Sequence, residues 1–192
     1  MTKVLLIASG LSANQYKEYN YKKNGWTIVA INNGWQVTND WDHWIHPPDY
    51  KGMRPKAISR HQNIVERYSK QILNYGGQKE CGFSITLTAG YWALSELKPS
   101  VIGLLGADMN YTPDKNGKTH IYGVGLDIQK NGIPDPDRMA KVYGKDDPNY
   151  LTNIYMRFHS IAKDNSCEVF NFSTLENSRL PYPRANAKDF EQ

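Results

Sequence analysis

The stretch Lys3-Val4-Leu5-Leu6-Ile7-Ala8-Ser9-Gly10 consists of a short apolar run that ends in two small residues. Such runs are typical of strands in a parallel sheet, because helices cover both faces of that kind of sheet. A second run of this kind, residues 26–31, leads into Asn32-Asn33-Gly34, whose composition suits a turn that contains left-handed backbone. Ser12 stands where a helix N-cap belongs. The first forty residues therefore predict a strand, a helix and a second strand.

The rest of the chain continues this alternation. Further strands are predicted at residues 41–46, 83–87, 101–105 and 168–172. Helices are predicted at residues 56–75, 91–97 and 149–163. The first of these helices has apolar residues that recur at spacings of three and four before Gly76-Gly77 ends it. Strands that alternate with helices indicate βαβ units, so the predicted class is α/β with a mostly parallel sheet.

Residues 110–144 interrupt the alternation. This stretch contains five Gly and three Pro and few periodic apolar residues, so we expect a long irregular lid or binding loop. Since 192 residues correspond to one elaborated domain, residues 1–192 are predicted to form a single domain with this lid inserted.

Composition and charge exclude several classes of protein. With 40% hydrophobic and 22% charged residues, the chain has an ordinary globular composition. Its net charge of +4 is spread out, which suits a small anionic ligand but not stable binding of duplex nucleic acid. Cys81 and Cys167 form no C-x-x-C pair, which fits a reducing, cytoplasmic location. No stretch approaches the roughly 18 apolar residues of a membrane span, and the first apolar run is a strand, not a signal peptide.

Small and polar residues follow the predicted strands. Ligands of open α/β sheets bind outside the carboxyl ends of the strands, so these residues are the candidate binding residues. They are Ser9, Gly10, Ser12, Asn32, Asn33, Thr88, Ala89, Gly90 and Asp108. Residues 10–12 and 88–90 are predicted helix starts, where free N–H groups and the helix dipole favour a phosphate. Each residue also has a structural interpretation, as an N-cap, a turn or a close-packing glycine.

Two residues are candidates for catalysis. Asp108 suits a metal ligand, a general base or a ribose contact, or else a carboxylate that caps the next turn. In the insertion, His120 suits a general base and Tyr122 a hydroxyl that holds phosphate, although a loop histidine is often only solvated. Arg138 suits either a phosphate or an ion pair that holds the loop.

Several common motifs are absent from the sequence. It contains no G-x-G-x-x-G, no P-loop and no G-x-S-x-G, which removes most support for a dinucleotide oxidoreductase, a P-loop enzyme or a serine hydrolase. No H-x-x-x-H or H-E-x-x-H occurs either, so the sequence does not support a zinc site, and no metal ligand is assigned.

Residues 4–12 (VLLIASGLS), 30–33 (AINN), 85–90 (ITLTAG) and 102–109 (IGLLGADM) resemble, in order and spacing, a group of Rossmann-like proteins. The group includes bacterial lipooligosaccharide sialyltransferases and 6-hydroxymethylpterin pyrophosphokinase-like proteins. The resemblance covers the chain from Val4 to about Pro183, and small stand-alone versions of the domain resemble phage-encoded proteins. It implies a Rossmann-like three-layer sandwich. Two departures stand out: Ala89 replaces a serine, and the first turn has Ser9 and Leu11 where the family pattern prefers Gly and Pro.

The resemblance also implies residue roles. Gly10 and Ser12 would lie beside a nucleotide, and Asn32 or Asn33 beside its phosphate or ribose. Residues 88–90 and Asp108 would surround the sugar and the nucleotide. His120 occupies a loop comparable to the one that carries the family's catalytic histidine. Tyr111 and Tyr122 would be lid tyrosines that hold the leaving phosphate.

These observations favour a glycosyltransferase-like enzyme that passes a sugar from a nucleotide-activated donor to an unknown acceptor. His120, or else Asp108, would act as the base, and no cofactor is required. One alternative is a diphosphate or phosphoryl transferase in which Asp108 holds Mg²⁺, and another is a nucleotide-binding protein without catalysis. The expected partners are a nucleotide or nucleotide sugar and the acceptor, and a homo-oligomer is compatible with the sequence.

Overall fold

The computed structural model describes residues 1–56, 58–77, 81, 84–125, 147 and 149–191. The strands are β1 (Lys3–Ile7), β2 (Trp26–Ile31), β3 (His43–Ile45), β4 (Asn63–Val65), β5 (Val101–Leu105) and β6 (Glu168–Asn171). Within the described residues they form one six-stranded sheet in the order β4-β3-β2-β1-β5-β6. Every neighbouring pair is parallel. The predicted α/β class and parallel sheet are confirmed.

The first apolar run forms a central strand of the sheet. β1 pairs with β2 on one side and with β5 on the other, and all five residues of β1 are buried. Val4 and Leu6 contribute to the core on one face of the sheet, whereas Leu5 and Ile7 contribute to the core on the other face. An unbroken apolar run fits this position because both faces of the strand are covered.

Helices cover both faces of the sheet. The α-helices are α1 (Ser69–Leu73), α2 (Ile85–Glu96) and α3 (Tyr150–Asp164). The 3-10 helices are Leu11–Glu18, Asn32–Gln36 and Ala187–Phe190. The α-helices pack against the face that carries Val4, and the first and last 3-10 helices pack against the face that carries Leu5. The architecture is therefore a Rossmann-like sandwich of three layers.

The prediction of one amphipathic helix at residues 56–75 is wrong. Residues 63–65 instead form the edge strand β4, in which Ile64 pairs with Trp44 and Val65 with Ile45. Only the short α1 remains helical, with Ile72 buried against the core. The apolar residues of this stretch thus belong to two elements. The β-branched pair Ile64 and Val65 extends the sheet, and Ile72 packs a single helical turn against the core.

The prediction of a strand at residues 83–87 is also wrong. Phe83 lies outside the described residues, and residues 85–87 form the first turn of α2. This helix is buried on nearly all sides, with eight buried residues between Leu87 and Leu94. A helix covered in this way carries an apolar run without a 3.6-residue period, and such a run resembles a buried strand.

The predicted lid is described only over residues 110–125. Asp114 there accepts backbone N–H bonds from Asn116 and Lys118, which closes a tight turn. The remainder of the predicted lid lies outside the described residues. In the described part of the chain, no helix is both long and apolar enough to cross a membrane.

Candidate functional site

The turn after β1 is bonded to the turn after β5. The Gly10 N–H donates to the Gly106 carbonyl at 2.7 Å, and the Gly106 N–H donates to the Ser12 hydroxyl at 2.7 Å. The Ser12 N–H donates to Asp108 Oδ2 at 3.0 Å. A Cβ on Gly10 would lie 2.6 Å from the Gly106 carbonyl oxygen and 2.7 Å from Asp108 Oδ2, so no larger residue fits there. The two turns thus form one rigid unit at the carboxyl end of the sheet.

This arrangement changes the interpretation of the first turn. The Asp108 carboxylate takes an N–H at the start of the first 3-10 helix, where the sequence predicts a phosphate. Such an N–H attracts any anion, and here the anion is the Asp108 carboxylate of the same chain. The N-cap position is Gly10, not Ser12. Ser12 is fully buried and its hydroxyl binds Gly106, so the structure gives Ser12 a role in holding the turns together.

Residues 88–90 do not form a helix start. They lie inside α2, whose N-cap is Ser84, and the Thr88 hydroxyl donates to the Ser84 carbonyl at 3.1 Å. A Cβ on Gly90 would lie 2.6 Å from Cζ of Phe158 on α3. Gly90 therefore permits the close approach of α2 and α3, and Thr88, Ala89 and Gly90 are all buried.

His120 lies at the end of β1. It pairs with Gly10 as an isolated antiparallel β-bridge, and the next N–H, that of Ile121, donates to the Ser9 carbonyl at 2.9 Å. The imidazole stacks between Tyr111 and Tyr122, with ring centroids 5.4 and 5.2 Å away. The first part of the insertion therefore folds back over the sheet edge and brings three aromatic rings to it.

Thr119 and Gly125 fix the orientation of the His120 ring. Thr119 Oγ1 lies 2.9 Å from His120 Nδ1 and accepts the Gly125 N–H at 3.1 Å. A Cβ on Gly125 would lie 2.6 Å from His120 Cε1, so the backbone passes directly against the imidazole. A histidine held on both faces and along one edge is positioned in the way that proton transfer requires.

The ends of β2 and β3 carry a second group of polar and aromatic side chains. Asn32 has left-handed backbone, with φ 50°, and its carbonyl accepts the Trp44 indole N–H at 2.7 Å. The Trp44 ring lies 4.4 Å from that of His46, which in turn lies 5.3 Å from that of Tyr50. The Tyr50 hydroxyl donates to Asn33 Oδ1.

Tyr50 connects this group with the insertion. Burial raises the pKa of Tyr50 to about 12, and the nearby phenol of Tyr122 contributes in the same direction. Tyr122, which stacks on His120, is thus within electrostatic range of the Tyr50 phenol. The edge site is defined here as Gly10, Asn32, His46, Tyr50, Asp108, His120 and Tyr122, together with Trp44 and Tyr111.

Three buried acceptor atoms of the edge site lack a hydrogen-bond partner within the described part of the chain. They are Asn32 Oδ1, His46 Nε2 and Asp108 Oδ1. Asp108 is 5% exposed and His46 is 3% exposed, so bulk solvent does not reach either freely. Buried acceptors are normally satisfied, so each of these three atoms could accept a hydrogen bond from a ligand or from water.

Positive charge near the edge site comes from Arg54, whose guanidinium lies 5.8 Å from the centre of the Trp44 ring. Its ion pair with Glu66 is long, at 3.8 Å, and exposed. Arg138, which the sequence suggests as a phosphate ligand, lies outside the described residues. Among the described residues, no group of three or more His, Cys, Asp or Glu is arranged to hold a metal ion.

Two surface depressions lie away from the edge site. One, of about 430 Å³, is lined by residues 16–22 with Val37, Thr38 and Asp40, which precede β2 and β3. The other, of about 350 Å³, lies between the ends of α1, α2 and α3. Both are at the amino end of the sheet, where parallel sheets do not usually bind ligands. The edge site is therefore the candidate functional site because of its side chains, and the volumes of these depressions do not decide the choice.

Sequence reasoning missed His46, Tyr50, Trp44 and Thr119. The rule that selects residues after strands also selects His46, since it directly follows β3. Tyr50 and Trp44 join the site through tertiary contacts, and neither carries a sequence signal of its own. The chain matches no protein-family model, no curated protein and no solved structure. The resemblance to the sialyltransferase group therefore stays a prediction.

Proposed function

We propose that the chain is a transferase that binds a nucleotide-activated donor, most simply a nucleotide sugar, at the edge site and passes the sugar to an acceptor hydroxyl. The observation that carries the proposal is the β-bridge between His120 and Gly10, beside the carboxylate that binds Ser12. It brings a titratable ring and a buried acid to the carboxyl ends of β1 and β5, where α/β sheets bind ligands.

His120 is the proposed general base. In the transfer, the acceptor oxygen attacks the sugar carbon that carries the phosphate, the bond between that carbon and the phosphate oxygen breaks, and His120 takes the hydroxyl proton. The contact with Thr119 at 2.9 Å and the two stacked tyrosines hold the imidazole in one orientation. This rigidity lowers the cost of aligning base and acceptor.

The proposed position of the nucleotide differs from the one that the sequence suggests. An N–H of the first helix start is occupied by Asp108, and residues 88–90 are buried inside α2. Tyr50 is partly exposed and Tyr122 is exposed, and their rings suit a flat or sugar-like ligand. Arg54 contacts Trp44 of the edge site and would supply charge for a phosphate.

One specific observation favours a second function. Asp108 Oδ1 is buried and unpartnered within the described residues, and a hard divalent cation would satisfy it. Asp108 is therefore the residue that would hold Mg²⁺ in a diphosphate or phosphoryl transferase. Loss of turnover in EDTA, with recovery on addition of Mg²⁺, would favour this function over sugar transfer without a metal.

The test begins with a thermal-shift screen against CMP, UDP, GDP, ADP and nucleoside triphosphates, because a specific ligand raises the melting temperature. Turnover of the matching nucleotide sugar is then compared between wild type and His120→Ala. We expect a loss of about 10²-fold or more, typical of a removed general base. The control is His159→Ala, which removes a histidine stacked on Tyr182 outside the edge site.

Equal turnover in wild type and His120→Ala would remove the proposed role of His120. Binding of a nucleotide without turnover of any donor would favour a nucleotide-binding protein that lacks catalysis. No binding of any nucleotide would refute the proposed function as a whole.

A further inference from the structure

Two buried acceptors belong to the residues that directly follow β2 and β3. The parallel register pairs Ile31 with Ile45, so Asn32 and His46 are the residues that follow this last pair. Trp44 contacts both: its indole N–H donates to the Asn32 carbonyl, and its ring lies 4.4 Å from the His46 ring.

The hydrogen bond of His46 Nδ1 determines whether the other ring nitrogen, Nε2, is a donor or an acceptor. His46 Nδ1 lies 2.9 Å from the carbonyl oxygen of Pro47. A carbonyl oxygen only accepts, so Nδ1 carries the proton and donates. In the neutral imidazole the other nitrogen, Nε2, is then an acceptor. It is buried and has no partner within the described residues, and the same holds for Asn32 Oδ1.

We propose that Asn32 and His46 form a subsite that accepts hydrogen bonds from an uncharged, donor-bearing part of the ligand. The two unpartnered atoms are both acceptors, so a ligand group that donates hydrogen bonds would satisfy them. The rings of Trp44 and Tyr50 both contact His46, and aromatic surroundings of this kind suit a ring that carries N–H or O–H groups. This inference rests on the proposed function for the class of ligand, a nucleotide sugar.

Such a group has two sources in a nucleotide sugar: the exocyclic amine of the base, or the hydroxyls of the sugar. Two arms of one titration experiment distinguish them. The base arm compares CMP with UMP and AMP with IMP. In each pair the first nucleotide has an exocyclic amine where the second has an oxo group. The sugar arm compares UDP-glucose with UDP. Each arm is measured by isothermal titration for wild type, His46→Phe and His43→Phe.

His43→Phe is the matched control, since His43 is a partly buried histidine that begins β3 and lies against Trp92, whereas His46 follows the other end of the strand. We expect the donor-bearing ligand of one arm to bind wild type about 10-fold more tightly or better. That preference disappears in His46→Phe and persists in His43→Phe. An equal preference in wild type and His46→Phe, or no preference in either arm, would overturn the subsite.

A second measurement separates failure of the subsite from failure of the proposed function. If wild type binds no nucleotide, the proposed function fails, and the unliganded stability of Asn32→Gly then decides. Glycine keeps the left-handed backbone of Asn32, so only the side chain is removed. A melting temperature equal to or above that of wild type shows that the Asn32 side chain is kept for a ligand. A lower melting temperature shows a structural role and overturns the subsite.

Discussion

Replacement of Ser12 by alanine tests whether this residue holds the two turns together or serves a ligand. In the structure its fully buried hydroxyl accepts the Gly106 N–H at 2.7 Å. Ser12→Ala leaves that N–H buried without a partner, which costs about 1–3 kcal/mol. For a chain of this size each kcal/mol lowers the melting temperature by about 2–4 °C, so we expect a fall of about 2–12 °C. The bond from the Ser12 backbone N–H to the Asp108 carboxylate does not involve the serine hydroxyl and remains.

The measurement is thermal and urea unfolding followed by circular dichroism, without ligand. Ser9→Ala is the control, because Ser9 enters the same turn through its carbonyl, which accepts the Ile121 N–H. We expect Ser9→Ala to unfold within about 0.5 kcal/mol of wild type. The structural role of Ser12 is refuted if Ser12→Ala is as stable as wild type, or if both variants lose the same amount.

Three further outcomes follow from close contacts and one shifted pKa. Gly90→Ala drives a methyl into the ring of Phe158, whose nearest atom would lie 2.6 Å away, so we expect a loss of about 1–3 kcal/mol in urea unfolding. An unchanged midpoint would contradict that packing. Gly125→Ala pushes a methyl against His120, with 2.6 Å to Cε1, so donor turnover per folded molecule falls by about 10-fold or more; turnover equal to wild type would show that the ring is not held there. Because burial raises the pKa of Tyr50 to about 12, the unfolded chain loses this proton near pH 10, before the folded state does. Stability therefore falls as the pH rises from about 10 towards 12, and melting curves at stepped pH should show a shallower fall in Tyr50→Phe. The same slope in both proteins would argue against a buried phenol.

The strands of the sheet centre could be predicted because their environment is uniform. Val101–Leu105 is apolar throughout and Trp26–Ile31 is apolar except for Thr27, and both strands have neighbours on each side and layers on both faces. An apolar run therefore predicts such a strand without knowledge of which strands pair with it. The sequence pattern and the structure therefore agree at these positions.

One helix was harder to predict because burial on all sides removes the helical period, whereas the helix predicted at residues 149–163 is confirmed as α3. α2 is such a helix, and its β-branched first turn, Ile85-Thr86, looked like a strand. Residues 56–75 failed for the opposite reason. The apolar residues of this stretch, spaced by three and four, come from a strand and a helix together. Which part becomes a strand depends on the pairing between β4 and β3.

The edge site was predictable only in part. Gly10, Asn32 and Asp108 follow strands and lie at the predicted edge. Their hydrogen bonds depend on tertiary contacts, which is why Asp108 occupies the place expected for a phosphate. The proximity of Tyr122 to Tyr50 likewise depends on how residues 119–125 fold back onto β1, which no local pattern encodes.

A crystal structure with the nucleotide that gives the largest thermal shift tests the central claim most directly. We expect the ligand to lie between Tyr50 and Tyr122. One of its hydrogen-bond donors should contact Asn32 or His46, and its sugar carbon should lie beside His120. A ligand seated instead in the depression lined by Tyr16, Lys22 and Asp40 would contradict it.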